Sequence, residues 1–145
     1  TDITITDLSE ERLEIASKIG ARRAINVSVS APEKSAFDCF IDASGSESAI
    51  VAGVEALDKS GVAVLVGLGS ESASLPISHI MDNEIWITGV YRYANTWPSA
   101  IELVKSGVID LDQLVTSRFP LEETEKALLA SGKPGELKPV VFPNA

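Results

Sequence analysis

Apolar residues at the start of the chain recur first at the period of a strand, in Ile3 and Ile5 up to Asp7. They then recur at that of a helix, through Leu13, Ile15, Ala16 and Ile19. Ser9 is placed to cap the helix, Glu10 and Glu11 suit its positive end, Leu8 can staple onto Leu13, and Gly20 can supply the C-terminal stop. A short strand over 24–27 and a polar loop with Pro32 lead into a nearly continuous apolar run, 37–41, ending at Asp42. Such a run suits a strand buried on both faces. Ser46 caps a helix that carries Ile50, Val54 and Leu57 at i, i+4 and i+7, and Gly61 ends it before a strand over 62–66. A polar segment, 76–83, precedes a strand over 85–90, after which Thr96 and Pro98 open a helix through Ile101, Leu103 and Val104 that Gly107 closes.

Strands alternating with helices of this length imply right-handed crossovers and a parallel, doubly wound sheet, an α/β fold. Beyond Gly107 come a strand over 114–119, a helix with an acidic start over 121–130 and, after Gly132 and Pro134, a strand over 137–142. This tail reads as an extension of the sheet domain, dividing the chain into 1–107 and 108–145. No internal repeat and no linker rich in Gly, Ser or Pro divides it further.

Composition narrows the partners. At 145 residues and 45% hydrophobic the chain can bury one core, and a net charge of -9 works against binding a phosphate backbone. The single cysteine, Cys39, cannot form an intrachain disulfide and is expected to pack as a small hydrophobe. No apolar stretch approaches the ~20 residues that cross a bilayer, and the N-terminus lacks a signal-peptide layout, so a cytoplasmic protein away from membranes is expected.

Asp7 is an acid at the carboxyl end of a strand, just before a capped helix. In dinucleotide-binding sheets an acid there accepts hydrogen bonds from the adenosine ribose and repels a 2′-phosphate, favouring NAD over NADP; ordinary turn chemistry is the alternative. Arg12, one helical turn on, could reach the same ribose or pair with a surface carboxylate. Gly67, Leu68 and Gly69 superficially resemble the start of a phosphate-binding loop, but 70–78 is polar, contains Pro76 and shows no helical period. Those glycines let backbone approach a flat ligand or make an ordinary turn. Asp42, Ala43, Ser44 and Gly45 lie at another strand end, where ligands collect in open α/β sheets, though Ser44 and Gly45 could equally serve as cap and turn. His79 is the only histidine and is read as a loop or surface residue; with Cys39 alone beside it, neither a zinc site nor a hydrolytic set can be assembled.

Two segments, Val66-Gly67-Leu68-Gly69-Ser70-Glu71 and Gly89-Val90-Tyr91-Arg92-Tyr93-Ala94-Asn95-Thr96-Trp97-Pro98, resemble the sorbitol and xylitol dehydrogenases of the medium-chain, zinc-containing dehydrogenase family. The likeness also takes in Thr6-Asp7-Leu8-Ser9 with Arg12-Leu13, Asp42-Ala43-Ser44-Gly45 and Ser117-Arg118-Phe119-Pro120-Leu121-Glu122, so it runs through nearly the whole chain. It implies that 1–107 is part of a Rossmann-type, dinucleotide-binding domain and that 108–145 returns toward a catalytic domain. Asp7 and Arg12 would then hold the adenosine ribose of NAD. Val66, Gly67 and Leu68 would present backbone to the nicotinamide, Val90, Tyr91 and Arg92 would line the rest of its pocket, and Arg92 and Tyr93 would face a polyol or ketose. The implied reaction is hydride transfer between a secondary alcohol carbon and the nicotinamide, with zinc as Lewis acid.

Family members place the zinc ligands in a domain upstream, and the glycine-rich loop follows a first sheet strand that precedes the strand opening this chain. The expected fold is therefore an incomplete doubly wound sheet lacking its first strand, with two inner edges unpaired. No catalytic or metal-ligating residue is assigned within the chain, and alone it is expected to be inactive. The family's last sheet strand commonly pairs with its copy, which puts 85–90 at the edge of a homodimer or homotetramer. Two alternatives are a zinc enzyme acting on another alcohol, such as threonine or a simple alkanol, and a non-catalytic nucleotide-binding or interaction domain.

Overall fold

The computed structural model describes residues 1–144 and groups the chain into two compact units, 1–29 with 94–145, and 30–93. In the first unit β1 (Thr4–Asp7) feeds α1 (Glu10–Lys18) and then β2 (Arg23–Asn26), which pairs parallel to β1. The Ser9 hydroxyl accepts from the Arg12 N–H at 3.3 Å, as the capping pattern requires, and Gly20 takes φ +115 just past the helix end. Leu13 and Ala16 are buried on the face that meets the two strands. Leu8 is exposed, so the staple onto Leu13 is not made.

Also in this unit are α4 (Trp97–Lys105), β6 (Val115–Pro120), α5 (Thr124–Ala130) and β7 (Lys138–Phe142). α4 buries none of its residues, although Ile101, Leu103 and Val104 form an apolar stripe. The expected helix over 121–130 begins as a 3-10 turn, Leu121–Glu123, and becomes α5 from Thr124. β6 and β7 pair in parallel with α5 packed on both, burying Ala127 and Ala130. The extension is thus a further strand–helix–strand unit.

The second unit holds β3 (Phe37–Asp42), α2 (Glu47–Ala56), β4 (Leu57–Leu65), α3 (Ile77–Asp82) and β5 (Trp86–Gly89), with the strands parallel in the order β3-β4-β5. Val54, Leu57, Ala63 and Ile85 form its core, with Phe37, Phe40, Leu75 and Ile80 packed against them. The α/β class with parallel pairing throughout is as expected. β1 bonds only β2 and β3 bonds only β4, so each sheet keeps an unpaired edge among the described residues.

Four further local expectations fail. α2 ends at Ala56, not at Gly61, and the chain passes straight into β4 because Leu57 already pairs with Phe37. The polar segment 76–83, for which no helix was expected, contains α3, whose one and a half turns are too short to show a period in sequence. Ser46 takes the N-cap backbone conformation but makes no side-chain cap bond, its hydroxyl meeting that of Ser48 instead. Finally, β3 is not buried on both faces: Phe40 and Asp42 turn toward α2, whereas Cys39 and Ile41 (64% exposed) lie on an open face. Cys39 therefore does not pack as a core hydrophobe. Neighbouring Val62 and Trp86, in register with it, share that open face, and the cysteine stays exposed among the described residues.

Candidate functional site

At the tip of β1 the two readings of Asp7 turn out to be compatible. Its Oδ1 accepts the N–H groups of Leu8 at 2.7 Å and Ser9 at 2.9 Å, which is turn chemistry. Its Oδ2 faces the Arg12 guanidinium at 3.8 Å. At a partly exposed site such a contact is a weak ion pair, so Oδ2 stays available to accept from hydroxyl groups. Arg12 thus pairs with a surface carboxylate, and that carboxylate is Asp7 itself. On the same turn the Ser9 hydroxyl donates to Glu11 at 2.6 Å and holds its carboxyl below the usual range, with its own backbone N–H adding to the effect.

In the second unit, Asp42, Leu65 and Gly89 stand in register at the carboxyl ends of three parallel strands. The segments after them, carrying Ser44-Gly45, Val66-Gly67-Leu68 and Val90-Tyr91-Arg92, leave the sheet at one edge, the edge where open α/β sheets gather ligands. The first two segments cross in contact. The N–H groups of Val66 and Gly67 donate to the Asp42 carbonyl at 2.9 and 3.0 Å, and Ser70 N–H donates to the Gly45 carbonyl at 2.8 Å. A Cβ on Gly67 would strike the backbone nitrogen of Gly45 and come within 2.7 Å of Asp42 Oδ2. Gly45 sits at φ +68, and a Cβ there would lie 2.5 Å from the Leu68 carbonyl carbon. Neither a flat ligand nor an ordinary turn alone explains these glycines: backbone of one loop fills the space a side chain would take on the other. Between them Leu68 projects 85% exposed, an apolar side chain held on a tightly packed backbone.

Sequence reasoning placed Asp42 at a strand end where ligands collect but gave its side chain no role. It is 2% exposed and accepts from the Ser44 N–H (3.0 Å), the Ser44 hydroxyl (2.8 Å) and the Gly45 N–H (3.0 Å to Oδ2). Ser44 is exposed, and its hydroxyl also accepts from the Ser46 N–H at 3.1 Å. The signal was present as an acid two and three residues before Ser and Gly, the spacing of a side chain folding back onto its own turn.

The third segment is bound to the sheet by Val90 N–H, which donates to the Leu65 carbonyl at 2.9 Å. Beyond it Arg92 adopts φ +61 and Asn95 φ +57, left-handed values that are uncommon outside glycine and concentrate at functional loops. The Arg92 guanidinium lies over the Tyr91 ring, 5.2 Å from its centroid, and Tyr91 and Tyr93 are both exposed.

His79 is not in a loop. It lies half-buried in α3, where Nε2–H donates to the Leu57 carbonyl at 3.2 Å and Nδ1 accepts from the Asn83 amide at 3.1 Å. Nε2 thereby joins α3 to the first residue of β4, and Nδ1 is used within the C-terminal turn of α3 itself. With His79 so engaged and Cys39 on the open sheet face, no group of three His, Cys, Asp or Glu side chains able to hold a metal forms among the described residues. These residues do not fit a zinc ion. No helix among them is long and apolar enough to cross a membrane.

Parallel strands alternating with helices define an α/β protein, and comparison with known proteins gives the family. The model of the zinc-binding dehydrogenase family matches residues 1–106, and the chain belongs to that family. Sheep (Ovis aries) sorbitol dehydrogenase is 39% identical over 149 residues, covering 96% of this chain and 42% of the relative. The chain therefore spans less than half the length of that curated relative. The structure of L-idonate 5-dehydrogenase from Escherichia coli superposes with a TM-score of 0.87 at 26% identity, over 98% of this chain and 43% of that one. That of a protein described as a zinc-binding dehydrogenase, from Sinorhizobium meliloti and bound to NADP, has a TM-score of 0.90 at 19% identity, over 99% and 45%, and speaks for the fold alone.

Proposed function

We propose that the complete protein carrying this chain is a cytoplasmic, NAD-dependent polyol dehydrogenase, and that residues 1–107 supply most of its coenzyme-binding part, with 108–145 an extension toward the catalytic part. The observation that carries the coenzyme reading is the carboxylate of Asp7, with one oxygen spent on its own turn and the other open beside Arg12. An acid so placed accepts from two ribose hydroxyls and repels a 2′-phosphate. The polyol reading rests on the likeness to sorbitol dehydrogenase and on the Tyr91-Arg92-Tyr93 segment, where a fixed guanidinium fork suits vicinal hydroxyls.

In this reading Asp7 and Arg12 hold the adenosine ribose. Ser44, Gly45, Val66, Gly67 and Leu68 present backbone and one apolar side chain to the nicotinamide. Val90, Tyr91 and Arg92 line the rest of its pocket, and Arg92 and Tyr93 orient the polyol or ketose. The coenzyme, when bound, accepts hydride from the carbinol carbon; the residues of this chain position both partners and exclude water. Zinc and its ligands belong to other parts of the complete protein.

The test is coenzyme titration of the complete protein, followed through tryptophan fluorescence, with and without Asp7→Ala. Hydrogen bonds to a charged group contribute about 1.5–3 kcal/mol, so NADH binding is expected to weaken ~10- to 100-fold. NADPH should change less, because the repulsion of its extra phosphate disappears as well. Equal weakening of both, or no weakening of NADH, defeats the assignment. Turnover of sorbitol, xylitol, threonine and a simple alkanol then separates the polyol reading from its neighbours.

A further inference from the structure

We infer that Asp42 is a positioning residue for hydride transfer: a buried carboxylate that clamps together the two loops proposed to receive the nicotinamide. The inference rests on the coenzyme reading above and goes beyond it, since Asp42 itself touches no ligand in that reading.

Asp42 is the one buried charged side chain in the molecule's described residues, 2% exposed, and no Lys or Arg pairs with it in any ion pair of the structure. Burying a carboxylate without a cation is unfavourable unless its oxygens are saturated with donors. Here the donors all come from one loop: Ser44 N–H and hydroxyl on Oδ1, and Gly45 N–H between Oδ1 and Oδ2 at 3.1 and 3.0 Å. The same residue's carbonyl takes the N–H groups of Val66 and Gly67 from the second loop. Asp42 therefore bonds to both loops, with its side chain on one and its main chain on the other.

The crossing is closed on its far side as well. Ser70 N–H donates to the Gly45 carbonyl, Ser70 Oγ accepts from Glu47 N–H at 3.2 Å, and Glu47 in turn accepts from Ser74 N–H at 2.9 Å. A Cβ on Gly69 would meet the Gly45 carbonyl oxygen. With bonds at both ends and no space between, a shift of the Ser44-Gly45 loop must displace the Leu68 backbone. Replacing one oxygen of Asp42 by an amide turns a donor toward the Gly45 N–H, leaving two donors face to face.

The experiment uses the complete protein with Asp42→Asn, and compares ADP-ribose, which is NADH without the nicotinamide, with the full coenzyme. A displacement of about 1 Å at a positioning element can reduce turnover ~100-fold. The expected result is kcat at saturating NAD reduced tenfold or more, with the ADP-ribose inhibition constant within twofold of the unsubstituted protein. Unchanged kcat overturns the inference. So does a parallel loss of ADP-ribose affinity, which indicates a general structural role. If Asp42→Asn does not fold, Gly69→Ala strains the crossing from the other end and must give the same split; without that split the inference fails. Failure of the unsubstituted protein to bind either nucleotide sinks the coenzyme reading itself, a distinguishable outcome.

Discussion

Single residues at the strand ends do different work depending on whether their partners are near in sequence or brought by packing. Ser9 illustrates the local kind. Its hydroxyl accepts from Arg12 N–H and donates to Glu11, which lowers the carboxyl pKa of Glu11. A depressed carboxylate contributes stability that is present above its unfolded pKa and lost as pH falls through the folded one. Ser9→Ala should therefore raise the Glu11 pKa toward its ordinary value in an NMR titration; no change would show that the hydroxyl is not the cause. Asp7 belongs to the same class, and its turn bonds could be read from sequence because strand, acid and capped helix are contiguous. Gly67 is of the other kind. Its neighbour, the Gly45 backbone, comes from a different loop, so sequence could offer a flat ligand or a turn but not the loop crossing. Gly67→Ala forces backbone apart and should destabilise by about 1–3 kcal/mol in urea unfolding, as overpacking does. A loss under a few tenths would mean that the crossing is looser than it stands here.

At the scale of elements, alternating strands and helices were legible from periodicity, and boundaries failed where tertiary pairing overrode it. Leu57 falls at the i+7 position of a helical stripe, yet it enters β4 because Phe37 on β3 pairs with it. It remains in the core, fully buried among Val54, Ala63 and Ile85, so helix and strand readings agree about its burial and differ only in its backbone. Leu57→Ala should cost about 2–5 kcal/mol, the range for a leucine removed from a core that relaxes only partly. The same substitution at exposed Leu68 should fall within ~0.5 kcal/mol. Similar losses at both would show that the core is misplaced. β3 was misread for the opposite reason: an apolar run says that a strand can be buried on both faces, not that both faces are covered, and Cys39 and Ile41 show one of them open.

At the scale of the whole molecule, fold class and family were legible because they depend on the order of elements and on motifs spread along nearly the entire chain. What was not legible is the chemistry of catalysis: among the described residues no three His, Cys, Asp or Glu side chains gather to hold a metal. Its one histidine is committed at both nitrogens to Leu57 and Asn83, and its one cysteine stands apart on a sheet face. The chain also spans 42% of the length of the sheep relative. Strand β5 carries Trp86 at 73% exposure and, among the described residues, bonds only β4, an apolar edge that invites a second copy. From this we expect the complete protein to sediment as a dimer or tetramer; a strictly monomeric profile would remove β5 as an interface. Residues 1–145 expressed alone should oxidise no polyol at a detectable rate. Correct placement of reactants accounts for roughly 7–11 kcal/mol of a barrier, and an alkoxide without a Lewis acid lacks a further several kcal/mol. Asp7 and the Gly45–Gly67 crossing can supply only the coenzyme's share of that placement. Sorbitol-dependent NADH production by the isolated 145 residues, abolished by Asp7→Ala so that a contaminating enzyme is excluded, would mean that the catalytic groups lie within this chain after all.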